Sequence, residues 1–246
     1  MTVEKLPITG LIIGSISSDV IVCGDPKRAS RIADKLQDCS LLGANREYQV
    51  YLGQYGDKAI TICSHGVGAP GAAIAFEELI TAGARQIIRV GTCGGLQHHI
   101  RSGHLIVATA AVQNTGYVRE IVPQGYPASA DPKLSVDLQE SAARCGHAFT
   151  NGIVLTRDAF YGGVPTPETP NYELMSRANV LAVEMECAAL FVVGHLRGAR
   201  TAAILTVDGN VLQGEESMET YKPDREVVTQ AVGAAIDIAL QAFLAS

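Results

Sequence analysis

Short apolar runs alternate along the chain with longer stretches in which apolar residues recur at helical spacing, the order expected of an α/β protein. Val20 to Cys23 reads as a short strand, and Asp25-Pro26 turns it into a helix. Pro26 suits the first helical position, where no backbone N–H is needed. Tyr48 to Gln54 and Ala59 to Ser64 read as a hairpin around Gly56-Asp57. Ala72 to Ala82 is helical in pattern, Gln86 to Val90 is a strand followed by glycines, and Leu105 to Ala111 is another strand. Leu134 to Cys145 is helical, Phe149 to Leu155 and Ala202 to Val207 are strands, and Val227 to Leu244 is a closing helix rich in alanine and leucine. Gln113 to Pro132 is irregular and is expected to form a loop over a site. No repeat and no domain boundary interrupts this order, so a single domain over residues 1–246 is expected.

One junction breaks the pattern. Val180 to Val183 reads as a buried strand and Cys187 to Leu196 as an apolar helix, yet Glu184 and Glu186 stand between them. Burying an unpaired carboxylate is costly. Where a parallel strand ends, however, the chain reaches the crevice in which open α/β sheets bind ligands. A carboxylate pair there can accept hydrogen bonds from neighbouring hydroxyls, such as the two of a ribose. The plainer reading is that either glutamate caps the helix, where negative charge is favoured.

Composition narrows the classes. A 246-residue chain that is 47% hydrophobic and 18% charged can bury a sizeable core and is not disordered. A net charge of −6 without Lys/Arg runs argues against a nucleic-acid partner. The scattered cysteines (Cys23, Cys39, Cys63, Cys93, Cys145 and Cys187) contain no Cys-x-x-Cys pair and read as small core residues in a reducing compartment. His98-His99 lacks further ligands at zinc spacing. No basic leader precedes a long apolar segment, and no apolar stretch reads as long enough to span a bilayer, so no membrane partner and a cytoplasmic location are expected.

Two glycine motifs invite ligands. Gly66-Val67-Gly68-Ala69-Pro70-Gly71 matches G-x-G-x-x-G, but the next strand ends in Gly91-Thr92-Cys93-Gly94-Gly95 and not in the acid that a dinucleotide ribose requires. Arg89 keeps a phosphorylated dinucleotide, and with it an NADP-dependent reductase, open as an alternative. The second motif, Ile87 to Gly95, sets Arg89 in an apolar strand with Thr92 just beyond it. A buried arginine requires an anion, and a glycine turn with a hydroxyl donor can cradle phosphate. Gly24-Asp25-Pro26-Lys27-Arg28 and Asn45-Arg46-Glu47 bring further arginines, whose planar fork matches phosphate. Each arginine taken alone also reads as a surface or ion-pair residue.

Gly24-Asp25-Pro26 with Arg28, Asn45-Arg46-Glu47-Tyr48, Ser64-His65-Gly66-Val67-Gly68, Ile88 to Gly94 and Val183-Glu184-Met185-Glu186 together resemble the hexameric purine nucleoside phosphorylase and uridine phosphorylase family, in the family's order and over nearly the whole chain. Asn45 to Tyr48, Phe76-Glu77-Glu78-Leu79 and Val207-Asp208-Gly209 are most similar to the purine enzymes of protozoan parasites. The resemblance implies a three-layer α/β/α sandwich with a mixed, partly barrel-like central sheet. It implies phosphorolysis of inosine or guanosine to free base and ribose 1-phosphate, with inorganic phosphate as co-substrate and no cofactor or metal. Gly24, Arg28, Arg89 and Thr92 would hold phosphate, with Arg46 reaching in from a neighbouring subunit of a homohexamer built as a trimer of dimers. Glu184, Met185 and Glu186 would meet the ribose, Phe160 would lie against base and sugar, and Asp208 would be the general acid towards purine N7. Without the family, Asp208 reads equally as a turn cap before Gly209.

The chain also departs from the family pattern. No histidine precedes His65 to serve a neighbour's ribose 5′-hydroxyl. Gly162-Gly163-Val164-Pro165-Thr166 stands where uridine phosphorylases carry a Gln and an Arg for uracil. The polar stretch from Asn210 to Tyr221 is a candidate cover for the base. The competing readings are a uridine phosphorylase, a nucleosidase in which water replaces phosphate, the reductase, and a nucleoside-binding protein without catalysis.

Overall fold

Continuous burial, not alternation, marks the central strands. In the computed structural model, which describes residues 5–214, 221–222 and 225–245, all residues of β1 (Asp19–Cys23) are buried. Val20 and Val22 enter one core cluster, while Ile21 and Cys23 enter another on the opposite face. Such two-sided burial gives the near-continuous apolar runs of a covered parallel sheet.

Asp25 caps α1 (Pro26–Ala33) by accepting from the Lys27 N–H. β2 (Gln37–Asn45), β3 (Tyr48–Tyr55) and β4 (Lys58–Ser64) follow as an antiparallel set. Then come α2 (Ala69–Ala82), β5 (Gln86–Gly95), β6 (Leu105–Asn114), α3 (Gly116–Ile121), α4 (Pro132–Arg144), β7 (Phe149–Arg157), α5 (Tyr172–Arg177), β8 (Ala182–Glu184), α6 (Cys187–Arg197), β9 (Arg200–Asn210) and α7 (Glu226–Ala245). The nine-stranded mixed sheet runs β2-β3-β4-β1-β5-β8-β7-β6-β9, and β5 also pairs with β9. That last pairing closes β5, β8, β7, β6 and β9 into a barrel. Helices α2 and α6 cover one side, and α1, α4 and α7 the other. The three-layer α/β/α expectation with a partly barrel-like sheet therefore holds.

Several boundaries differ from the sequence reading. The glycines after Val90 do not form a turn: β5 continues to Gly95 because Gly91 to Gly95 pair with Leu205 to Asn210 of β9. The segment from Gln113 holds a helix, α3, and is not irregular throughout. β2 and α5 were not anticipated, since β2 is an exposed edge strand and α5 has only 6 residues. α7, with 20 residues and a mean hydropathy of 1.6 over its most apolar 18-residue window, is long and apolar enough to cross a bilayer by length and composition, contrary to the reading that no stretch reaches that length. Half of its most apolar window is buried in this protein, on the side of the sheet shared with α4. Cys145 is exposed and Cys39 half-buried, so only Cys23, Cys63, Cys93 and Cys187 are core residues.

α6 approaches β9 closely at Gly194. A Cβ there would stand 2.6 Å from Thr201 Cγ2 and 3.0 Å from the Ala199 carbonyl oxygen. Gly194→Ala is expected to destabilise the fold by about 1–3 kcal/mol through overpacking. Urea unfolding with an unchanged m-value checks this; a midpoint equal to that of the parent would show that the contact yields freely.

Candidate active site

The ends of β1, β5, β7, β8 and β9 open into one cavity of about 450 Å³. Gly24, Arg28, Arg89 and Thr92 line it, as do Phe160, Glu184, Met185, Glu186 and Asp208. Of the residues singled out in the sequence, only Arg46 stands apart: it is exposed at the β2–β3 turn, with φ 53°.

A buried charge cluster forms one wall. Arg89 Nη2 donates to Glu186 Oε2 and, at 3.3 Å, to Glu184 Oε2, with all three side chains nearly inaccessible. Burial pulls the Arg89 pKa down, but the two carboxylates outweigh it and hold the guanidinium protonated. The guanidinium folds back over its own strand. A Cβ on Gly91 would lie 2.2 Å from Arg89 Nη1, so no larger residue fits there without displacing the arginine. In this structure the anion opposite Arg89 is therefore the glutamate pair.

The two glutamates are bonded differently. Glu184 accepts from the N–H groups of Glu186 (2.8 Å) and Cys187 (2.9 and 3.0 Å), from the Thr156 hydroxyl and from Arg89. It thus fills the capping role at the start of α6, and its lone pairs are engaged. The Thr156 hydroxyl in turn accepts from the Ala188 N–H at 2.9 Å. Glu186 accepts one bond on each oxygen, from Arg89 and from the Gly68 N–H at 2.6 Å, which leaves acceptor capacity facing the cavity. Burial raises its pKa, with Arg89 opposing and Glu184 adding to the rise. The G-x-G-x-x-G stretch thus anchors a carboxylate through Gly68 at the start of α2.

Asp208 occupies a bulge. Cys93 pairs with Val207 and Gly94 with Gly209, so Asp208 is the extra residue on β9. A bulge re-aims the side chain it carries. Burial raises the Asp208 pKa from 3.8 to about 6, although hydrogen bonds from Tyr221 (2.9 Å) and Thr92 act against the shift. Arg225 donates to the Asp208 carbonyl at 2.6 Å and holds the bulge from behind.

Arg157, Tyr172 and Tyr221 also line the cavity and were not singled out in the sequence. Arg157 ends an apolar strand just as Arg89 interrupts one, and that signal could have found it. Phe160 packs edge-on to Tyr221 with centroids 5.5 Å apart. Arg28 donates to the Val90 carbonyl at 3.3 Å. His65 is fully buried behind the glycine loop, and burial together with Arg89 lowers its pKa well below 6.5, so it is neutral. Burial pushes the Cys23 thiol up to about 12, which makes it inert as a nucleophile near neutral pH. The stretch from Asn210 to Tyr221 is described only up to Gly214 and at Tyr221, so the proposed cover for the base lies largely outside the described residues.

Residues 19–245 match the family described as the phosphorylase superfamily. The chain belongs to that superfamily. Within it, a guanosine phosphorylase of Halorubrum lacusprofundi is 38% identical over 204 residues, covering 82% of this chain and 83% of that protein. A uridine phosphorylase of Treponema pallidum is 37% identical over 217 residues, covering 85% and 84%. The purine nucleoside phosphorylase of Toxoplasma gondii, solved in complex with immucillin-H, superposes with a TM-score of 0.91 at 33% identity, covering 98% of this chain and 96% of that one. The chain is thus a member of the nucleoside phosphorylase family. Relatives of nearly equal similarity carry the names of purine and pyrimidine enzymes, so the base must be argued from the site.

The raised pKa of Asp208 has a stability consequence. The folded state favours its protonated form, so stability is fully present below the unfolded value of 3.8 and is lost as pH rises through about 6. Asp208→Asn removes that loss. It is expected to gain about 2–3 kcal/mol relative to the parent at pH 7.5, and far less at pH 4. Chemical denaturation at the two pH values tests this, and a gain that does not grow with pH would contradict it.

Proposed function

We propose that this protein is a purine nucleoside phosphorylase, a pentosyltransferase of purine salvage that converts inosine or guanosine and phosphate into free base and ribose 1-phosphate. Asp208 carries the reading. A buried carboxyl whose pKa stands near 6 can hold a proton close to neutral pH, and it shares one cavity with the arginines, Thr92 and the glutamates. A purine has N7 to receive such a proton; uracil has no such atom. The side chains after Phe160 support the same reading, since Val164 is 85% exposed and no amide or guanidinium stands from Gly162 to Thr166.

The chemistry follows from the charges. An oxygen of phosphate, held by Arg28, Arg89, Thr92 and the backbone at Gly24, attacks C1′ as the C1′–N9 bond breaks. The electron pair of that bond passes to the base, and Asp208 gives its proton to N7. Positive charge on the sugar is stabilised by the phosphate and by Glu186, whose spare lone pairs accept from the ribose hydroxyls. Glu184 stands beside it as the group that holds Arg89 and the start of α6. Met185 packs on the sugar, and Phe160 lies against base and sugar. No metal and no organic cofactor take part.

The expected result is hypoxanthine release from inosine only when phosphate is present, with uridine turned over far more slowly. Asp208→Asn should slow the inosine reaction about 10²–10⁴-fold. Phosphate-independent release would make the protein a nucleosidase, and equal rates on uridine would remove the purine assignment.

Arg46 completes the phosphate site of a neighbouring subunit in this proposal, within a homohexamer assembled as a trimer of dimers. Its exposed position outside the cavity of its own chain fits that role. Mixing Arg46→Ala chains with Glu186→Ala chains, each inactive, should restore activity once differently tagged subunits are shown to exchange. Confirmed mixed assemblies that stay inactive would return Arg46 to a role within its own chain or to none.

A further inference from the structure

Arg157 is the cavity cation that the scheme above leaves idle. It closes β7 directly after Thr156, whose side chain is committed to Glu184 and the start of α6. Strand alternation turns the next residue the other way, and Arg157 reaches the cavity that Phe160, Tyr172 and Asp208 also line. Among the described residues its one hydrogen bond runs from Nη1 to the Tyr172 hydroxyl. Its guanidinium carbon lies 5.6 Å from the centre of the Tyr172 ring, and its Nε is buried with no hydrogen-bond partner.

Among the described residues no carboxylate forms an ion pair with this charge. Glu184 and Glu186 are paired to Arg89, and Asp208 accepts from Tyr221. A half-buried guanidinium against an aromatic ring, without a counter-ion among the described residues, is held at a cost that an anionic or strongly accepting ligand would remove. Among the described residues no other group takes its donors, and the Tyr172 ring beside it, with Phe160 lining the same cavity, fits a flat heterocycle.

We propose that Arg157 is a further catalytic residue, which donates to the oxo group of the departing base and stabilises the negative charge arriving there as the glycosidic bond breaks. This rests on the purine reading. When C1′–N9 breaks, its electron pair enters the purine ring system and spreads from N9 to the oxygen on C6. Asp208 transfers its proton to N7. Arg157 transfers none; its N–H groups bind the oxygen whose charge is growing, so their interaction is stronger in the transition state than in the ground state. A residue that only fixed Tyr172 would treat all bases alike.

An N7-methylated inosine separates the two roles. Its base already carries the positive charge and departs neutral, so it needs neither the proton of Asp208 nor a cation at the oxo group. Arg157→Met is expected to lower kcat/KM for inosine about 10–100-fold, the effect of losing a hydrogen bond to a charged group. For 7-methylinosine it should stay within about threefold of the parent, below the smallest loss expected for such a bond. Arg157→Gln, which keeps an N–H for Tyr172 but not the charge, should shift the inosine to 7-methylinosine ratio the same way and serves if the Met variant does not fold. Equal losses on both substrates, or no loss on either, in a folded variant would overturn the proposal. A parent protein that cleaves neither purine nucleoside would overturn the purine reading itself, an outcome visible before any variant is made.

Discussion

The structure turns on one guanidinium held between two carboxylates. Arg89 sits inside β5, Glu184 ends β8 and Glu186 precedes α6, so their pairing ties two barrel strands to a helix at one wall of the cavity. None of the three could remain there alone. Removing one partner of a buried pair typically costs about 3–5 kcal/mol, because the remaining charge is stranded. One cation also cannot satisfy two carboxylates. The balance comes from backbone N–H groups: those of Glu186 and Cys187 for Glu184, and that of Gly68 for Glu186. The N-terminal end of α6 adds a favourable field for the same negative charge.

That arrangement separates Glu184, Glu186 and Asp208, which line one cavity, into three chemical states. Glu184 is saturated and structural in effect. Glu186 is held by two bonds and keeps acceptor capacity. Asp208 lies outside the cluster, on a bulge, where burial with few compensating donors pushes its proton affinity up. Environment, not residue type, makes one group a fastener, one an acceptor and one an acid. The bulge matters here, because regular pairing through Val207 to Gly209 would have left Asp208 in ladder register opposite β5.

Much of this was legible in the sequence, for a physical reason. Strands buried on both faces, such as β1 and the start of β5, leave unbroken apolar runs, and a charge within or after such a run must be paired or used. Arg89, Glu184 and Glu186 were visible on that ground alone. Asp208 stands at the end of a similar run, but a turn cap explained it equally well until the bulge and its burial were seen. β2 left little trace, because Gln37 to Asn45 is an edge strand open to solvent and carries no core-facing pattern. The glycines of β5 were misread as a turn: glycine permits a strand beside a bulky neighbour as readily as it permits a bend. The G-x-G-x-x-G stretch misled in the same way, since its spacing allows several uses and only Gly68, aimed at Glu186, shows which one this fold makes of it.

The turn that carries Arg46 shows how far the cavity's requirements reach. Ser64, at the end of β4, donates its hydroxyl to the Glu47 carbonyl and accepts from the Gln49 N–H at 2.9 Å. Asn45 donates to the Ile8 carbonyl at 2.6 Å, so the N-terminal segment is fastened to the same turn. Glu78 of α2 in turn holds Ile8 and Thr9 through their N–H groups. The flanks of the turn are therefore fixed from β4 and from the N-terminal segment, while Arg46 itself adopts a left-handed backbone that an arginine takes only against its preference. Rigid anchoring around an exposed, unfavourable residue is not what a tolerant surface loop requires. It is what a side chain requires when its direction must be set before a second surface meets it, and on the proposed reading that surface is the phosphate end of a neighbour's cavity.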